Sequence, residues 1–458
     1  MLDKRLTRVD ATQLALTSPR PYPVRIFANE QVMIEPVAIT ELHQVLDQYG
    51  DHIQQVAITP DFHKGAGIPI GTVLKTHGTM FPEAIGNDIN CGMRLHTTTL
   101  EASEIPRYLD TLETHARRLF FEGARQIPMT GADREALLTE GLTGLFRGRP
   151  CDRLSGQWQL VARHDWHNQL DHVEQHGSLF AANAAIFASW IGDSKSTTYD
   201  DQIGSIGGGN HFVEIQRVER ILDRKTAYAW GLEQGAVAIM VHSGSVGIGH
   251  TAGRFIKHGA DVWNPLHNAA NFAFANRLFL AASAAETLER VFGHSFKAPL
   301  LYDSPHNLVW KTEDGGYLHR KGATPARGPD ATNSYLGEPV LVPGSMGSSS
   351  YILAGQGNAD SLDSASHGAG RALSRGQASR SSKPEFADFL KHFRVVTPLD
   401  LRRPEVRGRA DILNRKLDEL RAEGPHAYKA ISAVIDTLAA ARIAKPVAEL
   451  VPLMTLKS

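Results

Sequence analysis

Cysteine is almost absent from this sequence: its 458 residues include only two, Cys91 and Cys151. Two cysteines cannot build a disulfide framework, so we expect a reducing compartment, the cytoplasm. Apolar runs are short as well, and none approaches the ~18 residues of a membrane span. Residues 1–20 lack the apolar segment of a signal peptide. We therefore expect no association with a membrane.

Net charge is small too. The formal net charge is −1, so a nucleic-acid partner has to meet a local basic surface. Hydrophobic residues make up 42% and charged residues 21% of the chain, which is typical of a globular protein. Histidine is abundant by contrast: there are 21, and several lie in glycine-rich stretches. These stretches are the first candidates for a functional site.

The spacing of apolar residues predicts a mixed α/β fold. Short apolar runs at 56–62 and 235–244 lead into glycine-bearing or polar loops and predict buried strands. Alanine, leucine and phenylalanine recur at helical spacing over 267–292, which predicts a long helix. Residues 385–393 and 427–443 show the same helical pattern.

Candidate motifs run along nearly the whole chain, from residue 61 to residue 457. We therefore predict one catalytic domain over residues 1–458, whose site is assembled from distant loops. Residues 108–199 are mainly helical in pattern and carry few motifs, so we interpret them as an insertion. Residues 355–385 are rich in Ser, Gly and Ala, a composition typical of a flexible linker.

Five potential metal ligands lie in motifs that contain glycine or asparagine. The motifs are "GNDINCG", "GGGNHFVE", "MVHSGS" and "DSPHNLVW", and the ligands are Asp88, Cys91, His211, His242 and His306. Thiolate, imidazole and carboxylate together suit a divalent transition metal such as zinc, manganese or iron, and a thiolate can bridge two ions. Taken alone, each of these residues is more typical of a buried core or a turn than of a metal site. The set as a whole favours a metal site.

A second group of motifs suits phosphate. The Gly/Ser loops 204–210 and 343–350 offer backbone N–H groups to anionic oxygens, although neither is a Walker A loop. In "SHGAGRALSR" His367 precedes Arg371 and Arg375, and a nucleophilic imidazole needs such cations to hold the phosphate that it attacks. A polar loop with a surface histidine is the alternative that these residues leave open.

Several of these motifs together resemble one family. "NDINCGMR", "GGGNHFVE", "VHSGS", "RKGA", "PGSMGSSSYI", "SHGAGR", "EGPHAYKAI" and the final "LKS" occur in the order seen in the RtcB family of GTP-dependent RNA ligases. The resemblance spans about residue 61 to the end of the sequence. It implies an α/β fold with a central β-sheet core, surrounding helices and a deep metal-containing cleft.

The resemblance implies a dinuclear manganese site. Cys91 would bridge two Mn(II) ions and belong to the catalytic residues. Asp88 and His211 would bind one ion, and His242 and His306 the other. The metal itself is left open, because the affinity order of such sites favours zinc over manganese.

The resemblance also implies a GTP site around a catalytic histidine. His367 would attack the α-phosphate of GTP and carry GMP covalently. Glu214 and Lys457 would read the guanine edge, and Tyr428 would stack on the base. The implied nucleotide contacts are Asn210, Glu214, His306, Asn307, Pro343, Gly344, Ser345, Met346, Gly370, Arg371, Tyr428 and Lys457.

The implied reaction joins an RNA 3′-phosphate, or a 2′,3′-cyclic phosphate after ring opening, to an RNA 5′-hydroxyl. GMP moves from the histidine to the RNA 3′-phosphate, and the 5′-hydroxyl then attacks this activated end and releases GMP. The implied cofactors are two Mn(II) ions and the cosubstrate GTP, and the implied partner is RNA with broken ends, from tRNA or rRNA. The oligomeric state is left open. A dinuclear metallophosphatase or nuclease and a non-ligating RNA-binding relative are the alternatives.

Four features depart from the usual pattern of the family, and the first is the loop "DFHKGAG" (61–67), an uncommon version that keeps the Asp-x-His start. Val246 stands in "HSGSVG" where relatives commonly carry an arginine, so affinity for RNA differs here if that arginine contacts RNA. Asn87 replaces a small apolar residue before Asp88, and Ser458 stands where a glycine is more usual. None of these changes removes a proposed ligand or the nucleophile.

Overall fold

The structure, a computed structural model, describes residues 3–147, 155–199, 202–259, 261–331 and 334–458. Cys151 lies outside these residues. Within them, no helix combines the length and the apolar character that crossing a lipid bilayer requires.

The strands of the described residues belong to two large sheets and two small ones. In chain order they are β1 (Leu6–Arg8), β2 (Gln13–Leu16), β3 (Val24–Phe27), β4 (Ile53–Ala66), β5 (Ile68–Thr76), β6 (Gly92–Glu101), β7 (Pro128–Met129), β8 (Thr198–Tyr199), β9 (Phe212–Ile221), β10 (Ala236–Ser243), β11 (Leu300–Pro305), β12 (Asn307–Lys311), β13 (Tyr317–Lys321), β14 (Ala323–Pro325), β15 (Pro339–Val342), β16 (Ser350–Gly355), β17 (Ser364–Ser366), β18 (Arg394–Val396) and β19 (Ala444–Leu456).

The helices range from a single turn to one long central helix. They are α1 (Pro36–Tyr49), α2 (Ile105–Phe120), α3 (Gly131–Arg147), α4 (Trp158–Arg163), α5 (Ala188–Ile191), α6 (Arg224–Ala229), α7 (Val246–His258), α8 (Trp263–Phe292), α9 (Arg375–Ala378), α10 (Lys383–His392), α11 (Pro404–Arg407), α12 (Ala410–Arg421) and α13 (Ile431–Ala440).

Two sheets form the centre of the fold. The first has the order β1-β2-β3-β4-β5-β13-β12, and the second has the order β11-β6-β10-β9-β19-β16-β15, with β18 parallel to β19. An apolar cluster joins the sheets: it includes Ala57 and Val73 of the first, Val342 and Leu353 of the second, and Leu438 of α13. Helices pack against both sheets, among them α1 on the first and α8 on the second. The fold is thus mixed α/β, as predicted.

The predicted strand at 235–244 and the predicted helix at 267–292 are both present. β10 lies between β6 and β9 and is almost fully buried, which explains its unbroken apolar run. α8 begins four residues earlier than predicted and is buried on nearly all sides by α2, α3, α4, α7 and β10. It ends at Gly293, whose φ of +71° is the left-handed conformation that terminates many helices.

The interpretation of residues 355–385 as a flexible linker is wrong. β17 within this segment pairs with β14, and Ala365 is fully buried in the cluster between the two sheets. Ser364 accepts a hydrogen bond from Arg320 at 2.8 Å. The small residues serve close packing here rather than flexibility. Within 108–199 lie most of α2, then α3 to α5, β7 and β8, and the division into one domain with an insertion stays a prediction.

Candidate active site

Neighbouring strands bring the predicted metal ligands to one edge of the second sheet. Asp88 and Cys91 lie in the loop before β6, His211 precedes β9, His242 lies near the end of β10, and His306 lies between β11 and β12. The register pairs His242 with the residue after His211. Gly92, which follows Cys91, pairs with Ser243 next to His242 and with Pro305 next to His306. Strand pairing therefore assembles ligands that are far apart in sequence.

The five predicted ligands are linked by successive contacts, from Asp88 through His211, Cys91 and His242 to His306. Cys91 Sγ lies 3.2 Å from His211 Nε2 and 3.3 Å from His242 Nε2. His242 Nε2 is 3.3 Å from His306 Nε2, and Asp88 Oδ2 is 2.8 Å from His211 Nε2. The ligand atoms of Cys91, His211 and His242 all lie within 4.8 Å of one another, a separation that suits a shared metal ion.

This donor set fits a divalent metal because burial without a cation is unfavourable for it. Burial raises the pKa of the Cys91 thiol well above its usual value, and it lowers the pKa of the His242 and His306 imidazoles well below theirs. Burial opposes ionisation of Asp88, but the His211 imidazole lowers the pKa of this carboxyl to about 2. A bound cation would hold the thiol as thiolate and use the lone pairs of the neutral imidazoles.

His211 is oriented through its second ring nitrogen. Its Nδ1 lies 3.0 Å from the carbonyl oxygen of Ile206, which also accepts a hydrogen bond from the Ser243 hydroxyl at 2.8 Å. The Asn276 amide of α8 donates in turn to the Ser243 hydroxyl oxygen at 3.0 Å. A proton on Nδ1 satisfies the carbonyl, so Nε2 is left as the ligand atom.

A buried arginine on α8 holds two of the ligand-bearing segments. Arg277 donates to the Asn90 carbonyl oxygen at 2.6 Å and to the Ser243 carbonyl oxygen at 3.1 Å, next to the thiol and one imidazole. It also forms an ion pair with Asp303 at 2.8 Å, and Arg94 binds the other oxygen of that carboxylate at 3.2 Å. The ligand loops are therefore anchored to the core helix.

His367 stands beside the cluster and is held by a buried carboxylate. Its Nδ1 lies 2.5 Å from Asp61 Oδ2, and its ring centroid is 4.8 Å from that of His306. Asp61 is fully buried and also accepts from the Thr59 hydroxyl at 2.5 Å. Burial opposes ionisation, but His367 lowers the pKa of Asp61. A carboxylate that accepts the Nδ1 proton leaves Nε2 free as a nucleophile.

Most of the predicted nucleotide contacts line one cavity of about 500 Å³ that includes His367 and Asp88. The predicted contacts in its wall are Asn210, Asn307, Pro343, Gly344, Gly370, Arg371 and Tyr428. Arg375, which the sequence pattern placed with Arg371, lines it as well, although Arg371 precedes the helix and the two are not on one helical face.

The other predicted nucleotide contacts, Glu214, His306, Lys457, Ser345 and Met346, are buried and do not line this cavity. Burial raises the pKa of Glu214 to about 7, and its carboxyl group accepts from the Thr455 hydroxyl and the Gln216 amide, each at 2.6 Å. Lys457 donates to the carbonyl oxygens of Gly209 and His211 at 2.7 and 3.2 Å, and burial lowers its pKa to about 8. Ser345 contacts the Ser348 hydroxyl, and Met346 packs in an apolar cluster.

Sequence reasoning missed two carboxylates that organise the cavity. The first, Asp61, begins an Asp-x-His motif, and the second, Glu423, begins "EGPHAYKAI". Glu423 is buried and accepts from Arg371 at 2.9 Å and from Arg375 at 2.8 Å, and the Tyr428 hydroxyl donates to it too. The Arg371 guanidinium also lies 5.1 Å from the centre of the Tyr428 ring. The available signal for Glu423 was a glutamate at the start of one family motif and two arginines, Arg371 and Arg375, in another.

The unusual Asn87 has a packing role. A Cβ atom on Gly253 of α7 would lie 2.8 Å from Asn87 Oδ1, and one on Gly249 would lie 2.7 Å from the Asn87 carbonyl oxygen. These glycines let α7 approach the loop that carries Asp88. Val246 begins α7 with a φ of +40°, which is strained for a β-branched residue. Ser458 is exposed, and nothing in the structure explains it.

A thiol–imidazole–carboxylate cluster beside a carboxylate-bound histidine and two arginines is typical of enzymes that transfer phosphoryl or nucleotidyl groups. Comparison with known proteins narrows this class. The family model described as tRNA-splicing ligase RtcB matches residues 46–260 and 255–458, and the chain belongs to the RtcB family.

Named relatives cover most of the chain. The tRNA-splicing ligase RtcB of Thermococcus kodakarensis is 30% identical over 94% of this chain and 94% of its own length. The RNA-splicing ligase RtcB of Mycobacterium tuberculosis is 33% identical over 87% of this chain and 95% of its own. RNA-splicing ligase RtcB homolog 1 of Entamoeba dispar is 32% identical over 87% of this chain and 78% of its own length.

Proposed function

We propose that the protein is an RNA ligase that joins 3′-phosphate or 2′,3′-cyclic phosphate ends to 5′-hydroxyl ends, with GTP as cosubstrate and manganese as metal. The contact between His367 Nδ1 and the buried Asp61 carboxylate, beside a metal-type ligand cluster, carries this proposal. Membership of the RtcB family and the names of its relatives support the RNA substrate.

The chemistry of the first step falls to His367. Because Asp61 accepts the Nδ1 proton, the Nε2 lone pair is available to attack the α-phosphorus of GTP. A P–N bond forms as the bond to the pyrophosphate oxygen breaks. Asp61 stays ionised and stabilises the positive charge that develops on the imidazole. Arg371 and Arg375 lie where they can bind the phosphate oxygens.

RNA enters in the next two steps. An oxygen of the RNA 3′-phosphate attacks the histidine-bound phosphorus, the P–N bond breaks, and GMP is carried by the RNA end. The 5′-hydroxyl of the second RNA then attacks the former 3′-phosphate and releases GMP, which leaves a phosphodiester. Asp88, Cys91, His211, His242 and His306 would hold two metal ions, which supply positive charge for the developing phosphate oxyanions.

Recognition of guanine by Glu214 and Lys457 is part of the proposal. It requires a rearrangement, because Glu214 is bonded to Thr455 and Gln216 and Lys457 to main-chain carbonyls. The base has to displace at least one of these partners. Tyr428 already lines the cavity, and because the Arg371 guanidinium lies over one face of its ring, the base would stack on the other face.

The decisive experiment is transfer of label from [α-³²P]GTP to the protein in the presence of Mn²⁺, followed by denaturing electrophoresis. We expect an acid-labile, alkali-stable label that is lost in His367→Ala and in Cys91→Ala. His392→Ala is the matched control, because this histidine is exposed at the end of α10. Absence of label, or label that persists in His367→Ala, would refute the ligase mechanism. Phosphate release from RNA ends without label would instead support a dinuclear phosphatase.

A further inference from the structure

The cavity extends beyond the predicted nucleotide contacts to a region beside α7, which Asn87, Lys257 and Lys321 line. Gly249, Gly253 and Lys257 follow one another at four-residue intervals, so they share one face of α7. This face packs on Asn87, since a Cβ atom on Gly253 would lie 2.8 Å from Asn87 Oδ1. The close approach of helix and loop brings Lys257 to the cavity wall.

The two lysines of this region differ in what they bind. Lys321 Nζ donates to the carbonyl oxygens of Ala66 at 3.1 Å and Glu83 at 2.9 Å, so it is already bonded to the protein. Lys257 is exposed, and among the described residues no carboxylate lies within ion-pair distance of its ammonium group. The nearby Glu83 carboxylate interacts with the Tyr49 hydroxyl instead. Lys257 therefore offers a cation with free donors to the cavity.

The predicted nucleotide contacts belong to different elements. Two of them, Arg371 and Tyr428, lie with Arg375 around Glu423, and α7 contributes none of the predicted contacts. A nucleotide whose base stacks on Tyr428 occupies that side of the cavity. The free cation on α7 therefore lines the cavity without being one of the predicted nucleotide contacts.

We propose that Lys257 binds a phosphate of the RNA strand whose 3′ end enters the cavity. This inference rests on the proposed function. A lysine binds phosphate as a point charge and reads no base, so the contact orients the strand without selecting its sequence. The phosphate is either the terminal 3′-phosphate or a bridging one, and the two RNA substrates below distinguish them.

The test measures the Kd of a short fluorescein-labelled RNA by anisotropy, with Mn²⁺ and without GTP, as a function of salt. One variant, Lys257→Met, removes the charge, and Lys257→Arg keeps it. Lys225→Met is the matched control, because Lys225 is exposed on α6 and does not line the cavity. Loss of one phosphate contact in single-stranded RNA lowers the salt slope by about 0.7, so between about 50 and 200 mM salt the wild type loses about 2.6-fold more affinity than Lys257→Met.

We expect Lys257→Met to weaken RNA binding several-fold at low salt and to lower the salt slope, whereas Lys257→Arg and Lys225→Met keep the wild-type slope. A loss seen only with 3′-phosphate RNA identifies the terminal phosphate, and a loss shared by 3′-hydroxyl RNA identifies a bridging one. Unchanged Kd and slope in Lys257→Met would overturn the inference. An unchanged Kd for RNA with a raised KM for GTP in Lys257→Met would also overturn it, because that result would show that Lys257 binds the nucleotide.

Failure of this inference is distinguishable from failure of the proposed function. If the wild-type protein takes no label from GTP and seals no RNA, the ligase assignment fails. If it does both and Lys257→Met binds RNA like the wild type, only the role of Lys257 fails.

Discussion

Replacement of Arg277 by methionine tests whether α8 anchors the segments that carry the predicted ligands Cys91 and His242. The guanidinium is fully buried and donates to the Asn90 carbonyl and side-chain oxygens and to the Ser243 carbonyl oxygen, besides its ion pair with Asp303. Methionine retains the apolar stem and removes every donor. The variant thus isolates the polar contacts of one side chain.

The expected loss is about 4 kcal/mol in the free energy of unfolding. Removing one partner of a buried ion pair costs about 3–5 kcal/mol, and this site falls at the low end because Arg94 still binds Asp303. The acceptors on Asn90 and Ser243 lose buried hydrogen bonds, at about 1–3 kcal/mol for each group left unsatisfied. Relaxation of the two loops offsets part of that cost.

The assay is unfolding in urea, monitored by tryptophan fluorescence, and Arg290→Met is the control. Arg290 lies on the same helix, α8, and its ion pair with Glu286 is exposed, so this variant is expected to change stability by no more than about 0.5 kcal/mol. Binding of Mn²⁺ should weaken in Arg277→Met as well, since Asn90 and Ser243 adjoin ligands. A loss equal to that of the control would refute the reasoning.

Three further outcomes are expected. Asp61→Asn should slow labelling by GTP about 10²-fold or more at unchanged Tm, because the amide no longer holds the imidazole of His367 by an ionic contact. Glu423→Gln should raise the KM for GTP more than it lowers kcat, because both cavity arginines lose their ionic partner. Burial lowers the pKa of Lys429 from 10.5 to about 8. Between pH 8 and pH 10.5 the unfolded chain therefore binds more protons at this site than the folded protein. Over that range the stability of the wild type in urea should rise with pH relative to that of Lys429→Met.

The strands and the long helix were predictable because their signal is local. β10 is an unbroken apolar run, and the pattern of α8 extends over many turns. The proximity of Cys91, His211 and His242 has no such signal, since it depends on the register of β6, β9 and β10. Their glycine- or asparagine-bearing motifs grouped these side chains as candidate ligands, and the family resemblance divided them between two ions.

The segment 355–385 shows the limit of composition. Serine, glycine and alanine are typical of linkers, but the same small side chains allow backbone segments to pack closely. β17 fits against β14, and a Cβ atom on Gly370 would lie 2.2 Å from the carbonyl oxygen of Asp61. The loop that carries His367 is therefore pressed against the residue that orients it. The need for small residues in this loop is evident only from its contact with Asp61, which lies more than three hundred residues away in sequence.

The near-neutral net charge and the proposed polyanionic substrates are compatible because the charge is unevenly distributed. Two carboxylate residues, Glu83 and Asp88, line the cavity, and Asp88 is one of the predicted metal ligands. The cationic residues of the same wall are Lys64, Lys257, Lys321, Arg371 and Arg375. Low-dielectric walls concentrate such a local field, so the cavity can attract phosphates although the whole molecule does not. Glu423 accepts hydrogen bonds from both arginines and fixes their position, while the Arg375 side chain, which is 63% exposed, remains open to a phosphate.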